Sequence, residues 1–170
     1  MMRSILFAAL TTLDLAVGGS RPIAAEPRVT VEFTQPENFR DATLSGRHRG
    51  ADERVLNELR TSFEYLGERY LAPGLSLHVE VTDIDLAGRH EPWWRSQGYD
   101  MRVMREIDWP SINLNYELRR NGTVIASEKA RITDPSYLQH PGRHGYGIRD
   151  PLYAEKYMLD LWFRQRFIDR

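Results

Sequence analysis

The chain has 170 residues, no cysteine and nearly balanced charge, with 23 Lys and Arg against 24 Asp and Glu for a formal −1. The missing cysteine excludes disulfides, thiol chemistry and a lipid-modified N-terminal cysteine. The charge balance argues against nucleic-acid or anionic-membrane binding through a broad basic face.

The first residues differ from the rest. "MMRS" carries one positive charge, "ILFAALTTL" is an apolar run, and "RPIAAEP" offers small residues to a peptidase. This is the layout of a secretory signal peptide, with cleavage expected after Ala25 and export to the periplasm as the consequence. Asp14 interrupts the apolar segment. The run is far short of the roughly 20 apolar residues that a membrane span needs, so no integral span is expected after cleavage. Cleavage would take basic residues from 23 to 21 and acidic ones from 24 to 23, moving the charge from −1 to −2. Residues 26–170 are expected to form a single domain, and a domain of this size buries roughly two-thirds of its unfolded surface.

"PRVTVEF" alternates, with Val29, Val31 and Phe33 on one side, as a half-buried strand does. A polar loop follows to Gly50. From Ala51 the period becomes helical through Val55, Leu56, Leu59, Phe63, Leu66 and Tyr70. Asp52 is the expected N-cap, and "APG" at 72–74 stops the helix. "LSLHVEV" alternates again, turning Leu75, Leu77, Val79 and Val81 inward. Strand, helix and strand together imply a crossover unit with the two strands parallel and connected right-handedly.

If that second strand kept its phase, Asp83 and Asp85 would face the core while Ile84 and Leu86 faced water. Burying two unpaired carboxylates costs several kcal/mol each, by order of magnitude. A bulge or strand end near Thr82 is therefore expected, returning Ile84 and Leu86 to the core and turning both aspartates outward. After the loop "AGRHEPWWRSQG", the spacing implies a bent strand or two strands over 101–118, broken at Asp108–Ser111. Met101, Val103, Ile107 and Trp109 share one side before Pro110, and Ile112, Leu114, Tyr116 and Leu118 share one after it.

"RRNGTV" is a hairpin. A two-residue Asn-Gly turn would pair Leu118 with Ile125 and put Lys129 on the apolar face. A three-residue loop over Arg120, Asn121 and Gly122 pairs Leu118 with Val124, Tyr116 with Ala126 and Ile112 with Ala130. The second register is expected, with Gly122 in a left-handed bulge position. After a Pro- and Gly-rich loop, Asp150 and Pro151 open a helix whose apolar stripe reads Tyr153, Tyr157, Met158, Leu161, Trp162 and Ile168. The expected fold is α+β in the order β-α-β-β-β-α. One mixed, mainly antiparallel sheet of four or five strands carries both helices on one face. The other face stays polar through Thr30, Glu32, His78, Glu80, Asn113, Asn115 and Glu117.

Four blocks, "VTDIDLAG" at 81–88, "MRVMREIDWPSINLNYEL" at 101–118, "ITDPSYL" at 132–138 and "YAEKYMLDLWF" at 153–163, resemble the bacterial family known as domain of unknown function 3016. The resemblance spans essentially the whole of 26–170. It implies an exported envelope protein of Gram-negative bacteria and brings no activity, cofactor or catalytic residue with it.

The candidate ligand-binding residues are Asp83, Asp85, Arg89, His90, Trp93, Trp94, Arg143 and His144. Asp-x-Asp at a strand end can hold Mg²⁺ or Ca²⁺, although "DIDLAGRHEP" adds only Glu91. The alternative is that the pair caps the turn and meets Arg89 or Arg102. Arg beside His recurs in three Gly-Arg-His loops and suits a phosphate or carboxylate, or simply a solvated loop. Pro141 and Gly142 break the helical meaning of the His140–His144 spacing. Trp93 and Trp94, beside Arg95, can stack on a partner or fold back over the sheet. If loops 87–99 and 133–149 share one end of the sheet, they form a cleft with Asp83, Asp85 and His90.

No acid, base and nucleophile stand at a defined spacing. The functional expectation is a non-enzymatic periplasmic binding or adaptor domain for an envelope protein or glycan, with no cofactor. The alternative is a metal-dependent, hydrolase-like enzyme using Asp83, Asp85 and His90.

Overall fold

The computed structural model describes residues 27–45, 50–91, 102–140 and 150–168; the expected signal peptide lies outside them. The elements are β1 (Val29–Phe33), α1 (Glu53–Tyr70), β2 (Leu75–Asp85), β3 (Arg89–His90), β4 (Arg102–Val103), β5 (Ser111–Arg120), β6 (Thr123–Thr133) and α2 (Tyr153–Phe167). The main sheet runs β1-β2-β5-β6, and β3 and β4 form a separate two-stranded ribbon. β1 lies parallel to β2, with α1 as the crossover, while the β2–β5 and β5–β6 pairs are antiparallel. The architecture is α+β with a mixed, mainly antiparallel sheet.

Both helices cover the same face. Val29, Val31, Leu77, Val79, Val81, Ile112, Leu114 and Ile132 from the sheet share one core with Val55, Leu59 and Phe63 of α1 and Met158, Leu159 and Phe163 of α2. Phe63 and Phe163 meet edge-on at 6.2 Å between centroids, which ties the helices together over the sheet. The α1 stripe is the expected one. The α2 stripe is rotated: Ala154, Glu155, Met158, Leu159 and Phe163 are buried, while Ile168 is exposed. A helix hydrophobic on several sides does not announce its phase, and the ring contacts of Phe163 with Phe63 on α1 and of Trp162 and Phe167 with Tyr116 on β5 settle it.

On the opposite face, Asn115 Nδ2 and Thr34 Oγ1 each donate to the Glu80 carboxylate at 2.8 Å. Those hydrogen bonds hold the Glu80 carboxyl below its ordinary range. This face remains polar, as the alternation implies.

Three local expectations are corrected. The hairpin turn is the two-residue one: Asn121 and Gly122 both take positive φ, 48° and 83°, and Arg120 pairs with Thr123. The register then shifts between Leu118 and Arg119, so Leu118 faces Ala126, Tyr116 faces Glu128 and Ile112 faces Ile132. Neither simple loop length gives this register, because a bulge absorbs one residue and sends Lys129 to the polar face opposite Asn115. Residues 104–109 are not strand, and Ile107 and Trp109 are exposed. Asp52 stands at the N-cap of α1 without capping it, its carboxylate accepting instead from the Leu44 N–H at 2.8 Å.

Gly67 lets α1 press onto β1. A Cβ there would lie 2.0 Å from Val29 Cγ2. Gly67→Ala is expected to lower unfolding free energy in urea by about 1–3 kcal/mol through overpacking. Adding Val29→Ala should make the combined loss smaller than the sum of the two single losses.

Candidate functional site

The end of β2 is where the chemistry-bearing residues gather. The β2–β5 register shifts between Val81 and Asp83, leaving Thr82 as the extra residue. Ile84 and Leu86 become fully buried, and Asp83 and Asp85 turn to the outer side. After β1 the chain makes a 3-10 turn at Pro36–Asn38 and returns beside β2, where Asp41 bridges to Asp85. This return brings Arg40 over both aspartates. Its Nε donates to Asp83 Oδ2 at 2.6 Å, its backbone N–H to Asp83 Oδ1 at 3.0 Å, and its Nη1 lies 3.3 Å from Asp85 Oδ2. Its Nη2 donates to Ser111 Oγ at 3.3 Å. Asp83 and Asp85 therefore form an ion-paired clamp with Arg40, whereas the sequence suggested Arg89 or Arg102. Burial pushes the Asp85 carboxyl upward, against the pull of Arg40 and Arg89.

Arg89 sits in β3 with its guanidinium outward, Nε donating to Asp108 Oδ1 at 2.6 Å. The Asp108 side chain is largely covered, at the end of a turn closed by its own N–H to the Arg105 carbonyl at 3.1 Å. Arg105 also pairs with the buried Glu91. Tyr137 Oη donates to the Arg105 carbonyl at 2.8 Å, and Gly88 N–H to the Asp108 carbonyl at 2.8 Å. The turn is thus fixed from below on several sides. At its tip Ile107 is 73% exposed, flanked by Met104 at 36% and Trp109 at 40%. His90 pairs with Arg102 across the β3–β4 ribbon and is half-buried.

Arg102 and Glu155 hold the loops together beneath this turn. Arg102 Nη1 donates to the Gly88 carbonyl at 2.8 Å, and Nη2 to Asp41 Oδ1 and the Thr43 carbonyl at 2.8 Å each. One guanidinium therefore joins β4, the loop after β2 and the return segment. Glu155, on the first turn of α2, is buried and accepts the Ala87 N–H at 2.7 Å. Burial raises its pKa above the ordinary value. Ala87 packs with Tyr137 and Ala154, so the described parts of the 87–99 and 133–149 loops do meet at one end of the sheet. There His140 Nε2 lies 2.6 Å from Asp134 Oδ2, and its ring packs on Tyr157 at 4.4 Å between centroids.

Trp93, Trp94, Arg143 and His144 lie outside the described residues. Among the described residues no group of three or more His, Asp or Glu side chains is placed to hold a metal ion, and no helix is long and apolar enough to cross a membrane. Sequence reading missed Arg40, Asp41, Asp108 and Glu155 as members of this end. Glu155 alone carried a local signal, one helical turn before Met158 and Leu159 on the buried stripe.

A carboxyl with a folded-state pKa above its unfolded value stabilises the fold fully below the unfolded value, here near 4.5, and loses that contribution as pH rises through the folded value. Glu155→Gln keeps an oxygen for the Ala87 N–H and removes the titration. Its stability relative to the parent should rise with pH above about 4.5, by at most about 1.4 kcal/mol per pH unit. Urea unfolding of both proteins from pH 4.5 to 8 checks this; parallel curves would remove Glu155 from the linkage.

Neither a curated protein nor a solved structure matched the chain. A family model did match, over residues 27–165, which takes in both helices' buried stripes, the Asp83–Asp85 clamp and the Ile107 turn. The chain belongs to that family, described as a protein of unknown function (DUF3016).

Proposed function

We propose that the protein is an exported, non-enzymatic binding or adaptor domain of the bacterial envelope, and that it engages a protein partner through the loop end of its sheet. The observation carrying this reading is the turn at Arg105–Asp108. A large aliphatic side chain stands almost fully in water on a backbone held by Asp108, Arg89, Arg105 and Tyr137. Exposed apolar groups on a pre-ordered support bind with little ordering cost. Trp109 and the exposed guanidiniums of Arg89 and Arg105 are residue types enriched at the centres of protein interfaces. Ile107 and Met104 offer aliphatic surface, which favours a protein over a glycan among envelope partners. Export rests on the N-terminal charge and apolar pattern.

The test uses the full chain expressed in a Gram-negative host. The protein is expected in the periplasmic fraction with Glu26 as its first residue. Crosslinking there should trap a partner, and Ile107→Asp should weaken capture more than about tenfold, as for an interface hot spot. The melting temperature should barely change, because an exposed substitution shifts stability by only about 0.5 kcal/mol. Undiminished capture would remove this turn as the interface.

Metal-dependent hydrolysis through Asp83, Asp85 and His90 would require a cation to displace Arg40 from both aspartates. Thermal melts with millimolar Mg²⁺, Ca²⁺ or Zn²⁺ should superimpose on the metal-free melt, since a ligand of the native state must raise it. A reproducible upward shift would revive the enzyme reading.

A further inference from the structure

The sheet ends on one side at β6, an 11-residue strand with β5 as its sole neighbour in the sheet. Among the described residues, none from Thr123 to Ile132 makes a backbone hydrogen bond outside that ladder. Half of the strand's N–H and C=O groups therefore face away from the sheet. No proline interrupts it, and beyond the bulge at Ile125 the strand runs in regular register from Ala126 to Thr133. A bare edge of this length can template an added strand.

We propose that β6 docks an extended peptide segment carrying carboxylates at alternate positions. Charge complementarity selects this occupant. Lys129 and Arg131 are exposed, two residues apart, on the solvent face of the edge. Inside the sheet they stand opposite Asn115 and Asn113. Among the described residues neither makes a hydrogen bond or ion pair, and Lys129 acts on the Glu80 carboxylate only through its charge at longer range. Among the described residues most other cations already hold a carboxylate: Arg40, Arg89, Arg102 and Arg105 at the loop end, and Lys156, Arg164 and Arg166 on α2 with Glu58, Asp160 and Glu128. Residues two apart on a strand share a face, so an added strand would bring acids at i and i+2 directly opposite these two cations. Toward the hairpin the same edge shows Val124 and Ile125, 45% and 47% exposed, which suit apolar residues of the incoming strand. Backbone bonds would supply affinity and the side-chain pattern specificity, as in other strand-addition complexes.

Edge lysines also occur simply to repel unwanted strands, and the two roles separate experimentally. The probe is a fluorescein-labelled peptide of alternating Val and Glu, with a Val and Lys counterpart, titrated onto purified protein by anisotropy. Binding of the Val-Glu peptide is expected to be about tenfold or more tighter than that of the Val-Lys peptide. Amide exchange in residues 124–132 should slow on binding. Lys129→Glu with Arg131→Glu should reverse the preference while the melting temperature holds. No binding, protection elsewhere than β6, or a preference unchanged by the reversal would overturn the proposal. So would a Lys129→Thr, Arg131→Thr protein that self-associates while the parent ignores both peptides, which is the repulsion outcome. None of these readouts depends on Ile107, so failure here leaves the loop-end reading standing.

Discussion

The single residue added to β2 at Thr82 is the constraint on which the rest of the loop end depends. Side chains on a strand alternate with a period of two, so one extra residue exchanges the faces of everything that follows. Without it, two carboxylates would go under the helices and two aliphatic side chains into water. With it, Ile84 and Leu86 complete the core beside Ile112 and Leu114. Asp83 and Asp85 become the anchor for Arg40. That anchor fixes the segment returning from β1, and the fixed segment presents Asp41 and the Thr43 carbonyl to Arg102. The bulge thus propagates from one backbone irregularity to the placement of β4 and the turn beyond it.

Around the Ile107 turn the acids lie inside and their arginines outside. Glu91 is buried and the Asp108 carboxylate is largely covered, while the guanidiniums that neutralise them reach the surface. A carboxylate largely out of water needs its partner, and removing either arginine would leave its charge uncompensated. The turn bearing Ile107 is therefore hard to deform although its tip is solvated. An arrangement of this kind suits recognition better than proton transfer. The carboxylates at Asp83, Asp85, Asp108 and Glu91 already have cations. Rigidity below and apolar exposure above also keep the ordering cost of association small.

The β6 edge has the opposite character. Its support is the antiparallel ladder with β5, regular from Ala126 onward, and it offers backbone groups beside the exposed Lys129 and Arg131. Arg166 reaches across from the end of α2 to Tyr116 and Glu128, which braces the inner side of the strand without covering its edge. A rigid apolar tip at one place and a cationic edge at another are two chemically different surfaces, which the proposed adaptor role would use separately.

The sequence by itself determined the class of fold. Alternation at 29–33 and 75–81 and the helical spacing from Val55 to Tyr70 are local properties, readable because each element shows one face to a single core. The phase change at Thr82 was legible for the same reason: the cost of burying Asp83 and Asp85 is local too. The hairpin register was not, because it depends on where a bulge falls, and either turn length satisfies most of the apolar pattern. The α2 stripe was blurred because apolar residues surround that helix, and only packing against α1 and β5 chooses among its faces. The loop end was decided by tertiary structure alone. Arg40 meets Asp83 across 43 positions and Ser111 across 71, and Glu155 meets Ala87 across 68. An arginine that will neutralise a distant aspartate reads in sequence like any solvated arginine, since charge pairing leaves no periodic trace until the chain has folded.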